Sequence, residues 1–172
     1  VTDELILGVD PGLRVTGYGL LRAAGRELSL VEAGVIRTDD SEPLGDRLRT
    51  ILDEFRRVIG ELQPGVVALE ELYSHYKHPT TAILMGHARG VIVLCCALEG
   101  RRLITYSPTR VKSAVVGNGH ASKEQVQKMV KASLGLSDVP EPPDVADALA
   151  LALCYANQIL HPSSKARERR GR

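Results

Sequence analysis

Four carboxylates stand where strands and a helix can bring them together. Asp10 ends the apolar run Leu5 to Val9, Glu70 ends the apolar run Val66 to Leu69, and Asp144 and Asp147 lie three residues apart in a helical stretch. Residues three apart on a helix share a face. If the two apolar runs are neighbouring strands, all four side chains converge, and unpartnered carboxylates at close quarters raise one another's pKa. Hard divalent cations such as Mg²⁺ relieve that conflict because they take oxygen ligands. Two such ions about 4 Å apart activate a water and stabilise the leaving oxygen of a phosphodiester, so the chemistry within reach is metal-dependent hydrolysis. Singly, each acid has an ordinary structural reading. Asp10 before Pro11 and Gly12 opens a turn, Glu70 is the polar end of a strand, Asp144 is an N-cap, and Asp147 is a first-turn acid favoured by the helix dipole. The set of four in this order is what favours chemistry.

Cations gather in the middle of the chain. Residues 73–131 hold nine Lys and Arg against two acids, a net +7, between sections at −6 and −4, although the whole chain is only +1. That pattern places a basic surface beside an acidic site, or else describes solvated helix faces. Lys123 falls in the first turn of a helix, where a cation opposes the macrodipole and an anion would resolve the conflict. Gly117 and Gly119 just upstream leave room for a backbone. Lys77, Arg110, Lys128 and Lys131 are weaker candidates for neutralising phosphates. The histidines at 75, 78, 87 and 120 show no metal-ligand spacing and receive no role.

The elements that must position these groups are legible. Leu5 to Val9 reads as a strand buried on both faces, hence central in its sheet. Val15 to Leu21 and Leu28 to Ile36 are β-prone runs around a hairpin-length loop, giving a three-stranded antiparallel meander. Leu44, Leu48, Ile51, Phe55, Ile59 and Leu62 recur at helical spacing, with Pro43 in the first turn and Pro64-Gly65 as the stop. Val66 to Leu69 is a buried strand. Thr80 to Leu98 reads as a helix with Gly86 and Gly90 on one face, and Leu103 to Tyr106 as a fifth strand. Ser107-Pro108 starts a helix that ends near Gly117. Ser122 and Gln125 have capping-box spacing for another, which Gly135 stops. Three prolines then precede a last helix, Asp144 to about Ile159. The sequence predicts one nuclease-sized domain over residues 1–160 and a basic, disordered tail over 161–172.

Uninterrupted apolar runs such as Val91 to Leu98 are far shorter than the roughly 18 residues of a membrane span, so no membrane association is expected. Cys95, Cys96 and Cys154 have neither disulfide nor zinc spacing and read as reduced core residues of a cytoplasmic protein.

Strand, strand, strand, helix, strand, helix, strand and helices is the order of ribonuclease-H-like α/β folds, a mixed five-stranded sheet with helices on both faces. The motifs Gly8-Val9-Asp10-Pro11-Gly12 with Thr16-Gly17-Tyr18-Gly19, Ala68-Leu69-Glu70-Glu71-Leu72-Tyr73, Gly86-His87-Ala88-Arg89-Gly90, Val111-Lys112, and Asp144-Val145-Ala146-Asp147-Ala148-Leu149-Ala150 resemble, in order, those of the RuvC family of Holliday-junction resolvases. The resemblance runs from about Leu5 to Tyr155. It implies that Asp10, Glu70, Asp144 and Asp147 bind Mg²⁺ or Mn²⁺, two ions per site, and that Lys112 and Lys123 contact phosphate or stabilise transition-state charge. It implies that Tyr73 stacks on a base at the crossover. It further implies a homodimer that nicks two opposing strands of a four-way DNA junction, with the branch-migration proteins RuvA and RuvB as partners. Members carry Asp or His at the position of Asp144, so that residue is the least fixed of the four.

Two alternatives share the fold: a binding-only module, which has no need of four carboxylates, and a nuclease acting on RNA or other branched DNA, which would use the same ones. An actin- or sugar-kinase-like nucleotide fold is disfavoured, because it needs a second lobe and a second phosphate loop.

Overall fold

Alternation along the first strand decides the layering. In the computed structural model, which describes residues 3–71 and 79–161, β1 (Asp3–Asp10) buries Ile6 on one face of the sheet and Leu7 and Val9 on the other. A strand that is apolar on both sides has to be internal, and β1 is. The sheet has five strands in the order β3-β2-β1-β4-β5. β2 (Val15–Ala24) and β3 (Glu27–Arg37) complete the antiparallel meander, while β4 (Val66–Glu70) and β5 (Arg102–Tyr106) run parallel to β1.

The helices divide between the two faces, as expected. α1 (Leu44–Leu62) and α2 (Pro79–Leu98) cover the Leu7 and Val9 face through Ile51, Phe55, Ile59, Ala88, Ile92 and Cys95. α3 (Pro108–Val116), α4 (Lys123–Ser133) and α5 (Pro143–Leu160) cover the Ile6 face. α5 is apolar almost all round and lies directly on β1 and β2. Two glycines permit this: a Cβ on Gly8 would fall 1.8 Å from the carbonyl oxygen of Ala148, and one on Gly17 would fall 2.2 Å from that of Asp144.

Local signals account for the helix ends. Ser107 caps α3 with its hydroxyl accepting from the Arg110 N–H, and Ser122 and Gln125 form the reciprocal capping box of α4. Two details differ from the sequence reading. Pro43 is the N-cap of α1 and not a first-turn residue, since its extended ψ of 146° lets its carbonyl accept from Asp46 and Arg47 before the helix begins. The stop is Gln63, in the left-handed region at φ 47°, whose side-chain amide donates to the Gly60 carbonyl at 2.7 Å and supports a conformation usually left to glycine.

α2 departs most from expectation. The span Thr81–Leu98 is long and apolar enough to cross a membrane by length and composition, although its polar residues interrupt every apolar run within it. Its inner residues Ala88, Ile92 and Cys95 are fully buried against the sheet and α1, so one side is that of a core helix. Its other side leaves Ile83, Leu94 and Leu98 between 52% and 62% exposed, and space is open around Gly90. The surplus of apolar residues on this helix is therefore not covered by the other described residues. All three cysteines are buried and unpaired.

Candidate active site

Strand parity aims two of the acids. Ile6, Gly8 and Asp10 lie on one face of β1, and Val66, Ala68 and Glu70 on the same face of β4, because alternate residues share a side. The parallel register pairs Val9 with Leu69, so Asp10 and Glu70 leave neighbouring strands at the same level, under α5. Glu71, the next residue, points the other way and is held by the Thr105 hydroxyl. The glycine contacts do the rest. With the carbonyl of Asp144 over Gly17, which pairs with Asp10 across β1 and β2, the first turns of α5 bring Asp144 and Asp147 to Asp10.

These groups meet at a cavity of roughly 240 Å³. Asp10, Glu70, Asp147, Lys112 and Lys123 line it, over an apolar floor that includes Val111, Val126 and Leu151. Asp144 stands at its edge, close enough for its charge to act on Asp10. Burial pushes the Asp10 carboxyl up to about 7, and the charges of Asp147, Glu70 and Asp144 add to it, while Lys123 works against them. Glu70 is raised too, by burial and then by Asp147, with Lys112 and Lys123 opposing. Burial disfavours the charge of Lys123, but the hydrogen bond to Asp147 and the fields of Asp147, Asp10 and Asp144 outweigh it and raise its pKa. Three carboxylates thus act on Asp10 from two other elements, and among the described residues Lys123 is the cation that offsets them there.

Among the described residues no three His, Cys, Asp or Glu side chains stand in ready ligand geometry for an ion. The donor set nevertheless fits a hard cation: all oxygen, partly buried, and strained by mutual repulsion. Asp147 is meanwhile engaged by Lys123, whose ammonium lies 2.5 Å from its Oδ2.

The turn after Asp10 is held by residues to which sequence reasoning gave no role. The buried Thr16 hydroxyl donates to the Gly12 carbonyl at 2.8 Å and accepts the Gly12 N–H, and the Leu13 carbonyl receives Thr38 and Arg47. The Asp-Pro-Gly and Thr-Gly-Tyr-Gly stretches were the available signal, since glycines inside strands mark close backbone approach.

Not every cation converges. Arg110 is exposed on α3 and does not line the cavity. Lys128 pairs with Glu124 one turn earlier on the outer side of α4, at 2.6 Å. Tyr73 and Lys77, assigned to DNA contact, lie outside the described residues, as do the tail from residue 162 and His75 and His78.

A ribonuclease-H-like sheet with acids at the ends of its two central parallel strands and on the covering helix, rimmed by lysines, defines a phosphodiester-cleaving nuclease of that fold. The sequence profile described as "Crossover junction endodeoxyribonuclease RuvC" matches residues 6–155. The chain belongs to the RuvC family. It is 52% identical to the crossover junction endodeoxyribonuclease RuvC of Rhodopirellula baltica over 149 residues, 87% of this chain and 84% of that one. It superposes on Thermus thermophilus RuvC solved with a Holliday junction substrate at TM-score 0.85 and 34% identity, covering 91% of this chain and 95% of that one. A yeast mitochondrial Holliday junction resolvase shares the fold at TM-score 0.67 and 12% identity, covering 95% and 85%.

Proposed function

We propose that this chain is a structure-specific endonuclease that resolves four-way DNA junctions by paired hydrolytic nicks in strands of like polarity. The observation that carries this is the convergence of Asp10, Glu70, Asp144 and Asp147 from three separate elements beside one lysine-rimmed cavity. A binding-only protein gains nothing from a carboxyl held up to about 7 by its neighbours.

In this reading the four carboxylates hold Mg²⁺ or Mn²⁺, two ions per site. When bound, the ions supply an activated water and charge stabilisation at the leaving oxygen. Lys112 and Lys123 neutralise the scissile phosphate and the charge it gains on the way to products. The apolar floor excludes water beneath the phosphate and strengthens every charge above it. Arg110, Lys128 and the basic tail contribute at most to long-range attraction of the DNA.

A four-way junction is approximately two-fold symmetric, so paired nicks call for two sites related by a two-fold axis. The exposed Ile83, Leu94 and Leu98 of α2 suit a second copy of the chain, because they form one apolar stripe that the other described residues leave uncovered. RuvA and RuvB are the partners the family implies, and the cytoplasm the compartment. One experiment tests the whole reading: incubation with Mg²⁺ of a four-way junction, plain duplex and an RNA–DNA hybrid, resolved on a gel. Selective, symmetric cutting of the junction is expected. Preference for the hybrid replaces this function with that of a ribonuclease of the same fold.

A further inference from the structure

Arg89 of α2 reaches the catalytic strand end. Its Nε donates to the backbone carbonyl of Glu70 at 3.0 Å, across 19 residues of sequence. That carbonyl belongs to the last residue of β4 and stands one position beyond Leu69, where pairing with β1 stops. On the other side of the same peptide the N–H of Glu71 donates to the carbonyl of Tyr106 at 2.9 Å. The peptide after Glu70 is therefore fixed from two directions, by β5 and by a side chain of α2. A guanidinium suits this task, since it stays charged at any working pH and its planar N–H groups give a short, directional bond to a carbonyl. The electrostatic neighbours that act on the Glu70 carboxyl itself are Asp147, Lys112 and Lys123. Arg89 meets Glu70 at its backbone carbonyl.

The position of Arg89 along α2 adds to this. Ala88 and Ile92 beside it are fully buried on the sheet side, while Ile83, Leu94 and Leu98 face outward. One helix thus bears both the surface suited to a second copy and the donor that fixes Glu70. We infer that Arg89 is a positioning residue for Glu70, setting the end of β4 from which that carboxylate reaches the cation; this rests on Glu70 being a metal ligand, as proposed above.

The test is Mn²⁺ binding to the DNA-free protein, read from the electron paramagnetic resonance of unbound Mn²⁺, for the wild type, Arg89→Gln, Arg89→Lys, Glu70→Gln and Arg56→Gln. Arg56 ties α1 to the C-terminal end of α2 through Glu99 at 2.8 Å, and controls for general loosening of the helix. Arg89→Gln is expected to weaken Mn²⁺ binding on the order of ten- to a hundredfold, the range for groups that orient a ligand. Arg89→Lys, which keeps a donor without the planar fork, should recover part of the loss, and Arg56→Gln should bind as the wild type does. Metal-free junction affinity and sedimentation should be unchanged. Wild-type Mn²⁺ affinity in Arg89→Gln overturns the inference, as does an equal loss in Arg56→Gln. Loss of junction binding or of dimerisation at unchanged Mn²⁺ affinity overturns it too, by assigning Arg89 to DNA or to the interface. If Arg89→Gln fails to fold, Arg89→Lys carries the comparison, and wild-type Mn²⁺ affinity there is the overturning result. Failure of the underlying reading shows separately, as Mn²⁺ binding indifferent to Glu70→Gln.

Discussion

Lys123 Nζ stands 2.5 Å from Asp147 Oδ2, joining the first residue of α4 to the second turn of α5 across the mouth of the acidic cavity. The same ammonium draws the pKa of both Asp10 and Glu70 down. Lys123→Gln should therefore move the acidic limb of the pH–rate profile to higher pH, because both carboxyls hold their protons longer. Cleavage at neutral pH should fall on the order of a hundredfold, the scale for losing one preorganised charge at a developing oxyanion. A limb at its wild-type position would show that Lys123 is a solvated surface lysine.

Asp10→Asn should abolish cleavage and leave junction binding intact or tighter, since it removes a ligand charge but none of the cations that meet phosphate. It should also stabilise the metal-free protein above neutral pH, because it removes the carboxylate on which three others converge. Cleavage near the wild-type rate, measured on a labelled four-way junction, would remove Asp10 from the chemistry.

The raised carboxyl of Asp10 ties stability to pH. It holds its proton up to about 7 in the folded chain against an ordinary value of 3.8, so the folded state binds more protons in that window. The contribution of Asp10 to the stability of the metal-free protein is then fully present below about pH 4 and is lost as pH rises through about 7, at about 1.4 kcal/mol per tenfold difference in proton affinity. Calorimetry should show the melting temperature falling from pH 5 to pH 8. Millimolar Mg²⁺ should restore it at pH 8 and have little effect at pH 5, where protons already occupy the site. A melting temperature indifferent to Mg²⁺ at pH 8, and unchanged in Asp147→Asn, argues against a shared cation.

Gly17→Ala should damage catalysis through packing. Its Cβ would meet the Asp144 carbonyl oxygen at 2.2 Å and the Asp144 Cβ at 2.9 Å, so the first turn of α5 has to lift. Overpacking of this kind costs about 1–3 kcal/mol, and here the displaced turn carries Asp144 and leads directly into the turn that carries Asp147. Cleavage should drop more than junction binding. Gly60→Ala in α1, with nothing within 4 Å of its Cβ, is the control and should stabilise by about 1 kcal/mol.

Leu94→Arg places a charge in the centre of the exposed stripe of α2, where Leu94 is 52% exposed in the monomer. The monomer's melting temperature should hardly change. Sedimentation should show monomers at micromolar concentration, and a cruciform plasmid should yield singly nicked circles where the wild type yields linear product. A dimer that survives this change would place the two-fold axis elsewhere.

The amino-acid sequence by itself determined the elements and the identity of the acids. Those depend on rules that act over a few residues: two-residue alternation in β1 and β4, three- and four-residue spacing in α1, the Ser122 and Gln125 box, and carboxylates at the strand ends. The four acids and their order were readable for the same reason. Membership of α2 in the core was only half legible, because a helix apolar on every side has no periodicity to say which face is covered. Tertiary structure alone decided that Gly8 and Gly17 admit α5, that Lys123 engages Asp147 while Lys128 turns to Glu124, and that Arg89 holds the Glu70 carbonyl. Each is a contact between elements far apart in the chain, set by how closely one backbone can approach another, and no spacing within a single element encodes that distance.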